Sequence, residues 1–356
     1  MSLLFIEGFD HYTSLTYLQQ KWDYWTTYSG PLSVTINVAY GRHGQGLRIT
    51  GNSENDSIYF CKNVSPQQTM IAGCARWFTT FIEKSTTGHV NKIEFRDVAG
   101  GASQVTITIE ENGSVAARLG QETGAVIAQS AIGVVHTSSW NYMEAKVKAD
   151  NAAGTVTVKV NGVQVINVAG VDTQVSANAL IDQVAFGVQC GETSTGTYID
   201  DIYICDDQGA VNNDLLGDVR IDTLYPDGAG NSADWTPSAG ANWQCVDEAP
   251  PNEDTDYVEE GTTTDHDTYT CDDTAVVAGT VYGVQQVLTA RKDDAGSRGI
   301  KGMIRSGGAD YAPGITHALS DSYYPFMSIF ELDPDTAALW TLAGINAAEF
   351  GQRLES

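Results

Sequence analysis

The feature that most restricts the fold of this chain is a pair of Asn-Gly turns set between segments of alternating apolar and polar residues. The segment "GTVTVKVNGVQVINV" centres on Asn161-Gly162, and "QVTITIEENGSVAARL" centres on Asn112-Gly113. Asn-Gly supplies the positive φ angles of a type I′ turn, which joins two antiparallel strands. The sequence therefore predicts a type I′ hairpin at each position.

The residues before the Asn161-Gly162 turn alternate with a period of two. Valines stand at 156, 158 and 160, and polar side chains stand at 155, 157 and 159. Because successive side chains of a strand point to opposite faces, this pattern predicts a sheet with one packed and one solvated face. Similar short segments recur along the chain, and its 36 glycines suit tight turns. The expected fold class is all-β, with strands stacked in sandwiches or jelly rolls.

The length of 356 residues predicts two domains, each with its own core. A polar segment rich in Gly, Asn and Asp, "DDQGAVNNDLLGD", separates the two halves. We expect a β-sandwich over residues 1–208, a linker over 209–217, and a smaller C-terminal β-sandwich over 218–356.

The charge of the chain excludes two classes of partner. A formal net charge of -26 repels nucleic acid and anionic membranes. The opening "MSLLFIEGFDHY" has no basic region before its short apolar run, so we expect no signal peptide, no membrane anchor and synthesis in the cytoplasm.

Three segments of the first half carry a resemblance to a known fold family. They are "YGRHGQGLRITG", "SSWNYMEAKVKADNAAGTVTVKVNGVQV" and "TYIDDIYICD". Their order and spacing resemble the LamG-like, concanavalin A-like jelly roll. The resemblance implies that fold for residues 1–208 and implies no particular function.

A second resemblance extends over nearly the whole chain. The opening "EGFDHY" followed by "KW", together with the closing "DPDTAALWTLAGINAAEFG", resembles a group of tailed-bacteriophage virion proteins. This implies a structural component of the virion, either a capsid decoration or a tail- or fibre-associated protein. It would form homo-oligomers, dock on other virion proteins and be made in the host cytoplasm. The alternative is a glycan-binding adhesin module, with or without a dependence on calcium.

No catalytic constellation stands out. Retaining sugar hydrolases need two carboxyl groups about 5–5.5 Å apart, which on one strand means acids two residues apart. In "YIDDIYICDD" the acids Asp200 and Asp201 are adjacent, and a regular strand would point them to opposite faces. The histidines are scattered and no nucleophile signature is present. We therefore expect no enzymatic activity and no cofactor other than calcium.

Two acidic clusters could supply the oxygen ligands that calcium prefers. The alternative for both is a solvated acidic surface. The candidate ligands are Glu253, Asp254 and Asp256 in one cluster, and Asp200, Asp206 and Asp207 in the other.

Two segments mix aromatic and polar residues in the way that glycan or docking sites do. They are "QKWDYWTTYSG" and "GNSADWTPSAGANWQC", and the candidate platforms are Trp25, Trp235 and Trp243. The alternative is that these rings belong to a core or an interface.

The cysteines have no CxxC spacing, which argues against a zinc site. Cys61 and Cys74 are placed symmetrically about one turn-like segment, and Cys190 and Cys205 about another. If each segment is a hairpin, the two cysteines of a pair would face each other across it. Disulfides within or between chains and buried reduced thiols both fit the sequence. The cysteines are Cys61, Cys74, Cys190, Cys205, Cys245 and Cys271.

Overall fold

A computed structural model describes residues 1–12, 15–28, 33–37, 40–50, 57–81, 91–189 and 196–355. The chain divides into two compact units, and each is described by itself. Unit 1 comprises Met1–Asp10 and Ser14–Ile221, and unit 2 comprises His11–Thr13 and Asp222–Ser356. The domain limits drawn from the sequence stay a prediction. Within the described ranges no helix has the length and apolarity to cross a membrane.

Unit 1 is built from strands and one short helix, α1 (Leu15–Lys21). Its strands in the described part of the chain are β1 (Leu3–Glu7), β2 (Tyr24–Tyr28), β3 (Ser33–Asn37), β4 (Gly46–Thr50), β5 (Ser57–Gln67), β6 (Thr69–Phe78), β7 (Lys92–Asp97), β8 (Ala102–Ile109), β9 (Val115–Leu119), β10 (Val126–Gln129), β11 (Trp140–Lys148), β12 (Gly154–Val160), β13 (Val163–Val171), β14 (Ile181–Gln189) and β15 (Thr197–Asp206).

These strands form two antiparallel sheets. Sheet 1 has the order β13-β12-β11-β6-β15-β4-β3, with β1 also paired to β15. Sheet 2 has the order β10-β9-β8-β7-β14-β5-β2. One face of each sheet supplies the apolar core, and the opposite face is called its outward face below. This two-layer arrangement confirms the predicted all-β class and the jelly-roll sandwich of the first half.

The period-two pattern decides which side chains enter the core. In β12 the valines at 156, 158 and 160 are buried, and the alternating polar residues are partly exposed. Asn161 and Gly162 have φ angles of 50° and 76°, which confirms the type I′ turn.

The other Asn-Gly turn is built differently from the prediction. Only Gly113 has a positive φ angle, 74°, and its amide donates to the carbonyl of Glu110 at 2.9 Å. The hairpin therefore has a longer loop that closes with one left-handed glycine, because the strands end further from the turn than the alternation indicates.

A buried arginine connects the two layers of unit 1. Arg76 of β6 is 0% exposed and points from sheet 1 into the core. Its guanidinium donates to the carbonyls of Gly187 on β14 and Lys92 on β7, both at 2.9 Å. These two residues face each other at the end of the β7–β14 ladder, so Arg76 satisfies main-chain oxygens of sheet 2.

Unit 2 is also built mainly from strands. In the described residues these are β16 (Pro226–Ala233), β17 (Thr236–Pro237), β18 (Val258–Glu259), β19 (His266–Cys271), β20 (Val284–Ala290), β21 (Gly299–Ser306), β22 (Ala309–Tyr311), β23 (His317–Ala318), β24 (Tyr324–Phe330) and β25 (Glu349–Glu355), with helix α2 at Leu342–Ala347 and a 3-10 helix at Asn242–Cys245.

A small two-layer core holds unit 2 together. One sheet has the order β16-β19-β25-β21-β22, with β23 paired to β21, and β20 pairs separately with β24. Ile304 of the larger sheet, Phe330 of the β20–β24 pair and Trp340 pack in one buried cluster. The second, smaller β-sandwich is thus confirmed.

Asp267 of β19 is the polar centre of unit 2, and its replacement by alanine tests that role. The fully buried carboxylate accepts from the Trp235 amide at 2.9 Å, the Asn242 side chain at 2.6 Å and the Tyr269 hydroxyl at 2.9 Å. Because Asp267→Ala leaves these donors unpaired, we expect the free energy of unfolding to fall by about 2–3 kcal/mol. Urea unfolding would measure this free energy, and Asp273→Ala, at an exposed position, is the control. Equal stability of the two variants would contradict the role of Asp267 as the polar centre of unit 2.

Candidate functional site

Strand β15 contains a bulge that brings its two adjacent aspartates to one side. Its register against β6 shifts between Asp200 and Tyr203, and Asp201 has a left-handed φ of 48°. The uninterrupted alternation expected from the sequence is therefore wrong at this point. The extra residue lets neighbouring side chains share a face, which a regular strand does not allow.

Both carboxylates contact one arginine. Asp200 accepts from the Arg42 amide at 2.7 Å, and the Arg42 Nε lies 2.9 Å from an oxygen of Asp201. Asp201 also accepts from the Ile221 amide at 2.8 Å, and Arg42 pairs with Asp218. The aspartates are 0% exposed, not on the solvated side of the sheet as expected. The group therefore ties residues 218–221 to the outward face of sheet 1.

Burial shapes the protonation of this pair. Burial and the neighbouring Asp201 raise the pKa of Asp200 to about 9. Burial also raises the pKa of Asp201, to about 6, against the opposing effect of Arg42. The raised pKa of Asp200 favours its protonated form, whereas Arg42 favours the ionised form of Asp201.

The segment predicted as a linker, residues 209–217, also bonds to this face. Glu144 of β11 is 1% exposed and accepts from the Gly217 amide at 2.7 Å and from the Tyr203 hydroxyl at 2.6 Å. The Tyr203 hydroxyl accepts from the Leu216 amide at 3.2 Å.

The acids near the end of β15 are not gathered into a calcium site. Asp206 accepts from the Gln208 amide at 2.9 Å, and Asp207 accepts from the side chain of the same glutamine. Asp200 is held at the bulge by Arg42, as described above.

The second calcium candidate is dispersed in the same way. Asp254 accepts from Arg291 and from the Tyr323 hydroxyl, each at 2.9 Å. Glu253 sits at a left-handed turn with φ 56°, and Asp256 lies beside Glu248. In the part of the chain that the structure describes, no three acidic, His or Cys side chains are arranged to hold a metal ion. Guanidinium, hydroxyl and amide donors thus occupy oxygens of Asp254, Asp206 and Asp207, and the six acidic residues stay predictions as calcium ligands.

The three candidate tryptophans are all partly buried. The Trp25 ring stacks on Phe60 with centroids 5.0 Å apart, at the edge of the unit 1 core. Trp235 donates its indole N–H to the carbonyl of Asp265 at 3.1 Å, and Trp243 lies in the 3-10 helix. As ligand platforms these positions stay predictions.

The described cysteines carry free thiols. Cys61 lies on β5 of sheet 2 and Cys74 on β6 of sheet 1, so this pair does not face across a hairpin ladder as expected. The remaining free thiols are Cys205, Cys245 and Cys271. Cys190 lies outside the described residues.

An aromatic row crosses the outward face of sheet 1 at the end away from residues 213–217. Tyr198 on β15 lies opposite Arg48 on β4 and opposite Trp77 on β6, and Trp77 lies opposite Trp140 on β11. Trp140 packs edge-to-face with Trp77 at 6.0 Å and with Tyr198 at 6.5 Å. All four side chains are partly exposed. We call them the aromatic row.

Tyr40 extends the row at its arginine end. Its ring lies 5.6 Å from that of Tyr198. The Arg48 guanidinium lies 4.9 Å from the Tyr40 ring centroid and donates to the Tyr40 hydroxyl at 3.1 Å. The row therefore combines apolar ring surface with a fixed cationic donor, a combination that suits ligands with both apolar and hydroxyl-bearing faces.

The outward face of sheet 2 carries a charged network instead. Glu94 accepts from the Tyr59 hydroxyl at 3.0 Å and from Ser103, and it pairs with Lys92 at 2.8 Å. Burial raises the pKa of Glu94, but the stronger combined effect of Lys92 and its other partners lowers it. Burial and the nearby Glu94 raise the pKa of Tyr59. At neutral pH the network holds Glu94 ionised and Tyr59 protonated.

No protein-family model and no curated protein matches the chain. Among the solved structures similar to it is a cellulose-induced protein, with 19% identity, a TM-score of 0.40, and coverage of 56% of this chain and 96% of that one. An alginate lyase from a Chlorella virus has 13% identity and a TM-score of 0.40, covering 55% and 98%. A potassium-bound carbohydrate recognition domain has 12% identity and a TM-score of 0.38, covering 56% and 95%.

These comparisons correct one expectation. The prediction that the protein is not an enzyme is contradicted, because alginate lyases stand among the similar structures. The identities and TM-scores are too low to transfer that activity, or any ligand, to this chain. Activity is therefore something to measure on the protein.

Proposed function

We propose that the protein binds carbohydrate through the outward face of sheet 1, with the aromatic row as the stacking surface. The observation that supports this is the register of four neighbouring strands, which brings Trp140, Trp77, Tyr198 and Arg48 into one line. Neighbouring strands are about 4.8 Å apart, so the line extends for about 14 Å, the length of two to three sugar rings.

The packing of the row favours binding because it fixes the rings in advance. Edge-to-face contacts join the Trp140 ring to both Trp77 and Tyr198, and all three rings stand on strands of one sheet. Side chains that are already ordered lose little conformational entropy when a ligand arrives. Arg48 adds hydrogen-bond donors for sugar oxygens at the end of the row.

This proposal is the alternative drawn from the sequence, a glycan-binding module. The contacts described above support it through aromatic and donor groups, without a metal ion. The virion role, with its oligomers, docking partners and location, stays a prediction from the sequence resemblance.

The test is retention on a polysaccharide panel by affinity electrophoresis. We expect Trp140→Ala to weaken retention at least tenfold, because Trp140 contacts both other rings of the row and tryptophan anchors often dominate binding interfaces. Trp140→Phe should keep part of the affinity because it keeps a ring. Circular dichroism and thermal unfolding would establish that both variants fold.

Tyr24→Ala is the matched control. Tyr24 is 49% exposed on β2 of sheet 2, so its loss removes an exposed ring from unit 1 without touching the row. It should change retention less than twofold. Loss of retention in Tyr24→Ala, or full retention in a folded Trp140→Ala, would overturn the proposal.

Turnover is measured on the same samples. Mass spectrometry of the bound polysaccharides would detect shortened or unsaturated products. If the parent protein forms such products and Trp140→Ala does not, the same surface takes part in catalysis as well as binding.

A further inference from the structure

An open depression of about 380 Å³ lies at the other end of the outward face of sheet 1. Strands β11, β12 and β13 form its floor, and Asp214 and Leu215 form one wall. The polar side chains that line the floor are Lys146, Thr155, Thr157, Lys159, Gln164 and Asn167. We call it the polar depression.

The floor is ordered by strand register in the same way as the aromatic row. Lys146 lies opposite Thr157, and Thr157 lies opposite Asn167. Lys159 lies opposite Gln164 in the neighbouring row. Cationic and amide groups therefore stand side by side on rigid strands.

Several of these groups are donors with spare capacity. The Thr157 hydroxyl bonds to the Asn167 side-chain oxygen at 3.3 Å, which leaves the amide N–H groups of that side chain for another acceptor. Within the described ranges, no side chain forms an ion pair or hydrogen bond with Lys159, and the Gln164 amide has none either. Such a set favours a ligand rich in acceptors.

The local charge is opposite to that of the whole chain. The chain carries a net charge of -26, yet the polar depression holds two lysines and a single acid. That acid, Asp214, is largely exposed and pairs with Lys146 at 3.1 Å. Because charges beyond about 8–10 Å are screened at physiological salt, an anion in the depression is affected mainly by these nearby groups.

We infer that the polar depression binds the anionic groups of an acidic oligosaccharide, with Lys146 and Lys159 as charge partners and Gln164 and Asn167 as hydrogen-bond donors. The inference rests on the proposed carbohydrate binding and narrows it to sugars that carry carboxylate or sulfate. Lys146 forms an ion pair with Asp214, whereas Lys159 helps to lower the pKa of Asp214 without bonding to it, which leaves its ammonium donors for the ligand.

The experiment compares three polysaccharides on the full chain: polygalacturonate, the same polymer after carboxyl reduction, and chondroitin sulfate. We expect Lys159→Gln to weaken retention by an acidic polymer about fivefold, the equivalent of a partly exposed charged contact of about 1 kcal/mol. Binding of the reduced polymer should be unchanged. Raised salt should weaken acidic binding in the parent protein and have less effect in the variant.

Lys301→Gln is the matched control, because it changes the net charge equally at a lysine of unit 2. Its retention should stay within twofold of the parent. Equal loss with both acidic polymers supports a site for anionic groups in general, and loss with one of them identifies the group. Identical behaviour of Lys159→Gln and Lys301→Gln, or equal binding of the reduced polymer by the parent, would overturn the inference.

The two proposals fail in different ways. If Trp140→Ala weakens retention while Lys159→Gln leaves the binding of acidic polymers unchanged, the depression is no binding site and the aromatic row stands. If Lys159→Gln weakens acidic binding while Trp140→Ala has no effect, the aromatic row is not the stacking surface and the depression stands.

Discussion

Replacement of Arg42 by methionine is expected to lower the free energy of unfolding by about 3–5 kcal/mol, which is typical when one partner of a buried ion pair is removed. Asp201, 0% exposed, would lose the guanidinium that now lies 2.9 Å away and stabilises its charge against burial. The bonds of Arg42 to Asp218 and to the Val219 carbonyl would be lost as well. Urea unfolding at pH 7 measures the change.

A double variant separates the ion pair from the packing of the arginine stem. In Arg42→Met with Asp201→Asn no buried charge is left alone, so the loss should be smaller than the sum of the single losses. Lys148→Met removes a partly exposed lysine of the same sheet and should cost less than about 1 kcal/mol. Additive losses in the double variant would show that Arg42 and Asp201 act independently.

Stability should fall as the pH rises, and Asp200→Asn should remove part of this dependence. The folded pKa of Asp200, about 9, exceeds the ordinary value of 3.8. Between these values the folded state holds a proton that the unfolded state has released, so the unfolding free energy decreases with rising pH. Asp201, with a folded pKa of about 6, acts in the same direction between about 4 and 6.

The measurement is urea unfolding of parent and variant at pH 6, 7, 8 and 9. Asparagine carries no proton to lose, so across this range the variant should lose about 1–3 kcal/mol less stability than the parent, since each pKa unit corresponds to about 1.4 kcal/mol. Asp207→Asn, on the same strand end but outside the buried pair, should follow the parent curve. Parallel curves for Asp200→Asn and the parent would show that Asp200 is ionised in the fold.

The layers of the fold could be predicted from the sequence because they depend on local alternation. The strand conformation of β12 and the turn at Asn161-Gly162 are each determined by residues that lie close together in the sequence. The bulge at Asp201 could not be predicted, since a left-handed φ at an aspartate is stabilised by partners far away in the chain, Arg42 and Ile221. One extra residue there reverses which side chains share a face.

The aromatic row depends on the same kind of distant information. Trp77, Trp140 and Tyr198 stand in three separate strand-like segments, and each by itself resembles a core residue. Only the pairing of β6 with both β11 and β15 brings them into line. The local density of aromatic residues indicated Trp25, Trp235 and Trp243 instead. That density depends on neighbours in the sequence and contains no information about which residues are adjacent across strands.

The guanidinium of Arg76 has a mechanical consequence for the first sandwich. Apolar layers can slide over each other at small cost, because dispersion contacts have little direction. Two hydrogen bonds from a single side chain of sheet 1 to the backbone of sheet 2 resist such shear, since a slip of a few ångströms would break both. A force that pulls the two sheets past each other along their strands would therefore have to break both hydrogen bonds of Arg76.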